Sequence, residues 1–470
     1  MSTANPTPTE PAEQALYEIR RKIYPRAVTG TFAIWRWIFV WGTQIVFYGL
    51  PWLNWNDRQA VLFDLVNRKF YIFGLVFWPQ DIVYLTVLLI ISAYSLFLFT
   101  AVAGRLWCGF ACPQTVYTEI FMWIERKIEG DRLKRMKLDQ SPLSWRKVGR
   151  KAAKHGVWIA LALWTGFTFV GYFSPIKTLA ASVPAFALGP WETFWILFYG
   201  FATYGNAGWM REQVCKYMCP YARFQGVMFD RDTLIISYDK ERGEPRGARS
   251  KSADYKAKGL GDCVDCNICV QVCPTGIDIR DGLQYECIGC AACIDGCDQV
   301  MDKMGYPRGL IRYSSENALE KHLSSTQMVK RVLRPRVLLY TAILWAIIIA
   351  AGITLYNRMP VKVDVIRDRI ATAYADDPVI ENVYRLQIMN TSEKARSFLI
   401  SVSGIEGIEI DSERQPIEMG PASARPVPVR LRAAREHTVT GANAIEFTIR
   451  AVDDAGQELI ITENATFVVP

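Results

Sequence analysis

The chain has 470 residues, of which 51% are hydrophobic, with 15 tryptophans, 23 phenylalanines and a formal net charge of +8. Its apolar residues are gathered into long runs rather than spread evenly, which excludes an ordinary water-soluble globule and points to a multi-domain membrane protein. The excess of Lys and Arg flanks those runs, and no recognition module interleaving Arg with aromatics accompanies it. Membrane topology, not nucleic-acid binding, therefore accounts for the basicity.

Residues 1–31 read as a polar cytoplasmic tail beginning MSTANPTPTEPAEQ, without the short apolar core and small-residue cleavage site of a removable signal peptide. Five runs reach the roughly 20 residues needed to cross a bilayer: 33–53, 82–104, 157–175, 191–209 and 337–356. The stretch between the second and third carries eleven Lys and Arg from Arg126 to Lys154, whereas that between the third and fourth carries only Lys177. By the positive-inside rule the first stretch is cytoplasmic. A five-span α-helical bundle follows, with four spans in 32–210, a cytoplasmic region 211–336, a fifth span at 337–356, and 357–470 on the outer side. For a bacterial cell this places a multi-pass protein in the lipid bilayer of the inner (cytoplasmic) membrane, with the last segment periplasmic.

At the end of the second span comes CGFACP, with Cys108 and Cys112, and after the fourth comes CKYMCP, with Cys215 and Cys219. After Pro113, apolar residues recur at helical spacing through Val116, Ile120, Phe121, Ile124 and Ile128, and Gly130 is a plausible stop. Proline suits the first helical position, so Cys112 is expected at the N-cap and the thiols in a turn. The helix dipole and its free amides are expected to lower the thiol pKa there. If the second and fourth spans pack together, four thiolates converge, a site that zinc, an iron–sulfur cluster or Cu(I) could occupy.

The cytoplasmic region contains CVDCNICVQVCP, with Cys263, Cys266, Cys269 and Cys273, and then CIGCAACIDGCD, with Cys287, Cys290, Cys293 and Cys297. The first is the C-x2-C-x2-C-x3-C-P run of a bacterial-type ferredoxin, and the second repeats it with Asp298 in place of proline. In such runs three close thiolates hold one cubane and the fourth reaches the neighbouring cluster. One [4Fe–4S] cluster is thus assigned to Cys263, Cys266, Cys269 and Cys297, and the other to Cys287, Cys290, Cys293 and Cys273, within a ferredoxin domain over about 258–305. Zinc sites lack the triple run, and disulfides do not persist in a reducing cytoplasm. The three histidines, His155, His322 and His437, lack the placement of paired haem ligands, which excludes a bis-histidine membrane cytochrome.

Beyond the fifth span, NVYRLQIMN, SFLISVSG, VPVRLRA, AIEFTIRAV and ATFVVP alternate apolar and polar residues between turn formers, the pattern of a C-terminal all-β, immunoglobulin-like sandwich. It holds no cysteine, so docking rather than chemistry is its expected role.

PWLNWNDRQAVLFDLVNRKFYIFGLVFWPQD, RLWCGFACPQTVYTEIFMWIE and CKYMCPYARFQGVMFD, followed by the double ferredoxin run and a final span, resemble the cytochrome c oxidase accessory proteins called CcoG, FixG or RdxA. The resemblance covers nearly the whole chain. It implies a membrane-bound oxidoreductase with two [4Fe–4S] clusters that reduces Cu(II) to Cu(I) through Cys108, Cys112, Cys215 and Cys219, for assembly of a cbb-type oxidase. Copper would then be substrate or bound ion, with a copper chaperone or oxidase subunits as partners and a quinol or soluble electron donor upstream. The same motifs resemble the membrane ferredoxins NapH and NosR, which implies an alternative: a quinol-oxidising donor to a respiratory reductase.

Overall fold

The computed structural model describes residues 22–371, 378–412, 416–453 and 455–469. Most of the tail expected over 1–31 lies outside the described residues. The chain forms two compact units: one takes the chain up to Trp41, Phe99–Leu161 and Thr203–Arg334, the other Gly42–Leu98, Ala162–Ala202 and Pro335–Pro470. All twelve cysteines fall in the first.

Helices cover all five apolar runs: Thr31–Gly49, Ile82–Ala103, Trp145–Val170, Pro190–Thr203 and Pro335–Tyr356. Among the described residues, two segments, Pro79–Ala103 and Pro335–Tyr356, are long and apolar enough to cross a membrane. The third run is only the C-terminal part of a helix that opens with Arg146, Lys147, Arg150, Lys151 and Lys154. The fourth leaves α-helical geometry at Tyr204, where wide π turns take over at Tyr204–Met210 and again at Val214–Met218.

In the cysteine-bearing unit, the helix Pro113–Glu129 starts and stops where its sequence says it should. Cys112 caps it in extended geometry, proline follows, and Gly130 ends it at φ +94°. One face buries Val116, Phe121, Met122 and Ile124. Trp158 stacks on Phe121 at 5.2 Å and donates Nε1 to the Phe121 carbonyl at 3.1 Å. The same helix buries two acids. Glu125 meets Arg135 at 2.9 Å, Arg211 at 3.0 Å and Lys154 at 3.6 Å, while Glu129 meets Lys151 at 2.9 Å and Lys154 at 3.1 Å. Part of the basic stretch is therefore spent on buried pairs rather than left as free surface charge.

The second unit carries a sandwich of two four-stranded antiparallel sheets. One contains Ile417–Met419, Arg396–Ser403, Gly441–Asp453 and Glu458–Val469; the other Glu409–Ser412, Ser423–Ala434, Val379–Asn390 and Val361–Ala371. Every strand expected from alternation is present, because each alternates in burial. Ser423–Ala434, for example, buries Val427, Val429, Leu431 and Ala433. Tyr384 and Phe447 pack edge-on at 5.3 Å in the core, both at 0% exposure.

Before the second apolar helix, Val61–Asp64, Lys69–Ile72 and Leu75–Phe77 form a three-stranded meander. It is tied to the sandwich within this unit. Arg58, Asn56 and Trp55 all bond Glu393, Lys69 donates to the Ala422 carbonyl at 2.8 Å, and buried Asp81 pairs with Arg358 and with Lys362 at 2.6 Å.

Two predictions follow from these packings. Phe447→Ala leaves a cavity between the sheets and should cost about 3–5 kcal/mol, read as a fall on the order of 10 °C in the sandwich transition by calorimetry. Burial works to raise the Glu125 pKa, but Arg211, Arg135 and Lys154 outweigh it, so its pKa lies below the ordinary carboxylate value. Its contribution to stability is then present above the unfolded carboxylate pKa and lost as pH falls through the lower folded value. Thermal unfolding of Glu125→Gln should differ from the parent at pH 7 and converge with it toward pH 3.

Candidate redox site

The two ferredoxin runs fold as copies of one another. Asp265 and Asn267 flank Cys266 in left-handed geometry, at φ 49° and 55°, and Gly289 and Ala291 flank Cys290 in the same way, at φ 70° and 58°. Alternation of this kind turns successive amides toward one point and makes a concavity for an anionic group. Each run then enters a helix, Ile268–Val272 or Ala292–Met304, and Gly296 lets the two touch: a Cβ there would lie 3.1 Å from Ile268. Antiparallel strands Ile235–Tyr238 and Ile311–Ser314 complete the fold.

The eight thiols of the two runs lie close together: Cys297 is within charge–charge range of Cys269, Cys266 and Cys263, and Cys293 of Cys290, Cys287 and Cys273, and also of Cys269 of the first run. Burial pushes Cys269 up to about 11 and Cys287 and Cys297 up to about 12. Each set has a tyrosine that sequence reasoning missed. Tyr238 stands beside Cys263, and Tyr313 stands beside Cys290, donating its hydroxyl to the Gly289 carbonyl at 2.7 Å. Each set also has buried arginine. Arg280 serves the first; Arg36 and Arg105 serve the second, and each of these two keeps a buried Nε without a partner. Eight soft thiols in two sets of four, amide concavities and spare cationic donors fit two anionic iron–sulfur clusters. When bound, such clusters supply one-electron transfer.

The C-x3-C-P motifs share a second pattern. Cys108 lies in the short helix Leu106–Phe110 and Cys215 in the π turn Val214–Met218, not in open turns. Cys112 and Cys219 each cap the proline-headed helix that follows, Pro113–Glu129 and Pro220–Met228. The four thiols come together: Cys108 feels Cys112 and Cys219, and Cys215 feels Cys112, Cys108 and Cys219. Gln225, fully buried, donates Nε2 to Cys108 Sγ at 3.3 Å. The expected lowering does not occur at Cys108, Cys112 or Cys215. Burial pushes Cys108 up to about 11 and Cys215 up to about 12, and raises Cys112 even though the Gln114 and Thr115 amides act against it. Desolvation of the thiolate outweighs the helix end. Among the described residues no three His, Cys, Asp or Glu side chains are placed to hold one ion as they are, so an ion held by three or four of these thiols requires side-chain rotation.

This four-thiol site adjoins the second ferredoxin set. Cys108 and Cys215 pack on the same apolar cluster as Cys290 and Cys293, and a narrow cavity lined by Arg36, Glu119, Glu212 and Thr275 reaches both Cys215 and Cys290. His155 is bonded to Tyr204 and stacked on Trp209, while His322 and His437 face carboxylates on the surface.

Paired thiol sets on a ferredoxin fold, with four further thiols beside them, define an iron–sulfur electron-transfer protein. Family models agree with that class: a 4Fe-4S dicluster domain matches residues 210–316, a 4Fe-4S binding domain matches 85–130, and the "IG-like fold at C-terminal of FixG" matches 351–470. The nitrogen fixation protein FixG of Rhizobium meliloti is 39% identical over 83% of this chain and 80% of its own length. Protein RdxA of Cereibacter sphaeroides is 39% identical over 84% and 85%. The chain belongs to the FixG/RdxA family of iron–sulfur oxidoreductases. The ferredoxin-type protein NapH of Haemophilus influenzae is more distant, at 26% identity over 46% of this chain.

The crossed ligand sets expected from the run pattern have a direct consequence. Cys297→Ser should deplete the cluster on Cys263, Cys266 and Cys269, although Cys297 belongs to the second run, and Cys273→Ser should deplete the other. Iron analysis and low-temperature EPR of the two variants should show loss of different signals.

Proposed function

We propose that this protein is a five-span membrane oxidoreductase that reduces Cu(II) to Cu(I) by one electron at Cys108, Cys112, Cys215 and Cys219, supplying Cu(I) for assembly of a cbb-type cytochrome c oxidase. The observation that carries it is the convergence of four thiols beside the second ferredoxin set. Soft thiolates favour Cu(I) over Cu(II), so the site itself pulls the copper couple toward reduction. The electron comes from an outside low-potential one-electron donor. Copper displaces the thiol protons as it binds, which offsets the high thiol pKa values. The sandwich is the natural docking module for a copper chaperone or oxidase subunit.

Two features support the five-span reading. The chain passes between its two units five times, each time within or at the end of one of the five apolar helices. Those helices also expose large apolar side chains, among them Ile38 and Ile45, Leu85 and Leu89, Ile159 and Trp164, Phe194 and Phe201, and Trp345 and Ile349. Exposed apolar faces of that extent suit lipid.

A second reading is a third iron–sulfur cluster on the same four thiols, favoured by the 4Fe-4S binding model that spans Cys108 and Cys112. Metal analysis separates the two readings: two cubanes contain about eight irons and three contain about twelve. Protein reduced with dithionite, then freed of excess reductant, should generate Cu(I) from added Cu(II) in a Cu(I)-specific chelator assay. Replacing the four cysteines with serine should abolish that signal while leaving about eight irons in place. Undiminished Cu(I) production by the variant would sink the proposal.

A further inference from the structure

The two ferredoxin sets are copies in backbone but not in electrostatics, and the difference centres on the short helix that carries Cys108. The first set has two arginines: buried Arg280 bonds Asp265 and Asp278, each at 2.6 Å, so its charge is answered by two carboxylates, while Arg249, which donates to the Cys263 carbonyl at 3.3 Å, is only half-buried. Among the described residues Arg105, at the start of the Leu106–Phe110 helix, bonds only main-chain carbonyls: Tyr285 and, at 3.0 Å, Cys287 through Nη1, and Ala222 at 2.8 Å through Nη2. Its Nε is buried without a partner, and its guanidinium lies over the Tyr285 ring at 5.1 Å. The charge is 8% exposed and bears on Cys287 of the second set and on Cys108 and Cys215 of the C-x3-C-P site. Arg36, the other cation of the second set, faces Glu119 at 3.9 Å.

Glycines hold this arginine in place. The position occupied by Asp265 in the first run is Gly289 in the second, with the same left-handed backbone, so the conformation alone does not demand glycine. Contact does. A Cβ on Gly289 would stand 3.0 Å from the Arg105 carbonyl, and one on Gly109 would stand 2.5 Å from the Gly289 oxygen and 2.9 Å from Cys290 Cα. The short helix from Leu106, capped by Arg105, is thus pressed, backbone to backbone, on the Cys287–Cys290 ligand turn.

We propose that Arg105 is a positioning residue for electron transfer: its unneutralised buried charge holds the second ferredoxin site at a higher reduction potential than the first, and the Gly109–Gly289 contact makes that site the port to the C-x3-C-P thiols. The inference rests on the two-cluster reading but not on copper. A buried positive charge stabilises the more negative, reduced form of a nearby centre, and the gain is large where the dielectric is low. The first site, whose buried arginine is neutralised and whose Arg249 is half-exposed to solvent, receives less of this. Electrons entering the ferredoxin fold therefore collect at the site that touches Cys108 and Cys215.

The test is an EPR-monitored redox titration of the purified, iron-loaded full chain without copper, with signals assigned through Cys297→Ser, which removes the first site. In the parent protein the second site should titrate at the higher potential. Arg105→Gln should lower it by at least about 59 mV, a tenfold change in the reduced-to-oxidised ratio of a one-electron centre, and leave the first site in place. Arg105→Lys, which keeps the charge, should retain most of the parent value. Any of three results overturns the proposal: the first site titrating higher in the parent, Arg105→Gln leaving the second unmoved at full iron content, or Arg105→Lys falling as far as Arg105→Gln. If Arg105→Gln does not retain its iron, the order of potentials in the parent and the Arg105→Lys value decide the matter. Failure of the Cu(I) assay alone would leave these potentials unaffected.

Discussion

A thiol taken out of water resists ionisation, yet a soft metal centre is held by thiolates. The cysteine-bearing unit is organised around this conflict. Burial raises the pKa of Cys108, Cys112, Cys215, Cys269, Cys287, Cys290, Cys293 and Cys297, with mutual repulsion among them adding to it. Nothing in the protein alone offsets this fully. The Gln114 and Thr115 amides at Cys112 and the arginines beside the ferredoxin sets work in the opposite direction and fall short. A cationic iron or copper centre is what tips the balance, so metal loading and the ionised state of these residues are one event. A dry site also suits one-electron transfer, because little solvent has to reorganise around the centre.

That dryness is built by close backbone approach more than by large side chains. The short helix at Gly109 lies against the Cys287–Cys290 turn with no side chain between them, and the helices after the two ferredoxin runs meet at Gly296. Behind the C-x3-C-P helices, Glu125 and Glu129 gather Arg135, Arg211, Lys151 and Lys154. Removing one partner from such a network leaves an uncompensated charge, which is far more costly than the pair is stabilising. The network links the helix capped by Cys112 to Arg211, three residues before the π turn that carries Cys215. It fixes the spacing of the two motifs without contributing a ligand.

The ligand sets were the most legible part of the site because cluster chemistry is local in sequence. The C-x2-C-x2-C-x3-C spacing is itself the geometry of a cubane's ligand turn, and the structure repeats it down to paired left-handed residues around Cys266 and Cys290. The Cys112 cap was legible for the same reason, since a proline and a stop at Gly130 are short-range signals. The thiol pKa values were not, because a helix end can be read from sequence whereas desolvation depends on what folds over it. Arg105 carried no signal at all. A lone arginine between an apolar helix and CGFACP looks like an anchor at the membrane edge, and only the fold reveals that its partners are carbonyls more than a hundred residues away.

The loop after the first apolar helix shows the same limit from the other side. NWNDRQ marks the family resemblance, yet neither its hydrophobic pattern nor its turn residues explain why those residues belong there. Trp55, Asn56 and Arg58 all meet Glu393, over 330 residues on, at the edge of the sandwich. A single carboxylate satisfied by an indole, an amide and a guanidinium can be matched by few other residue combinations. The loop and the sandwich are therefore constrained together although nothing local in either sequence records it. Asp81 makes a similar arrangement after the three-stranded meander, with Arg358 and Lys362 as its partners. Asp81 fastens the start of one apolar helix to the end of another, and Glu393 fastens the loop to the sandwich, both within the second unit, where alternation alone would have described an independent β-domain on a tether.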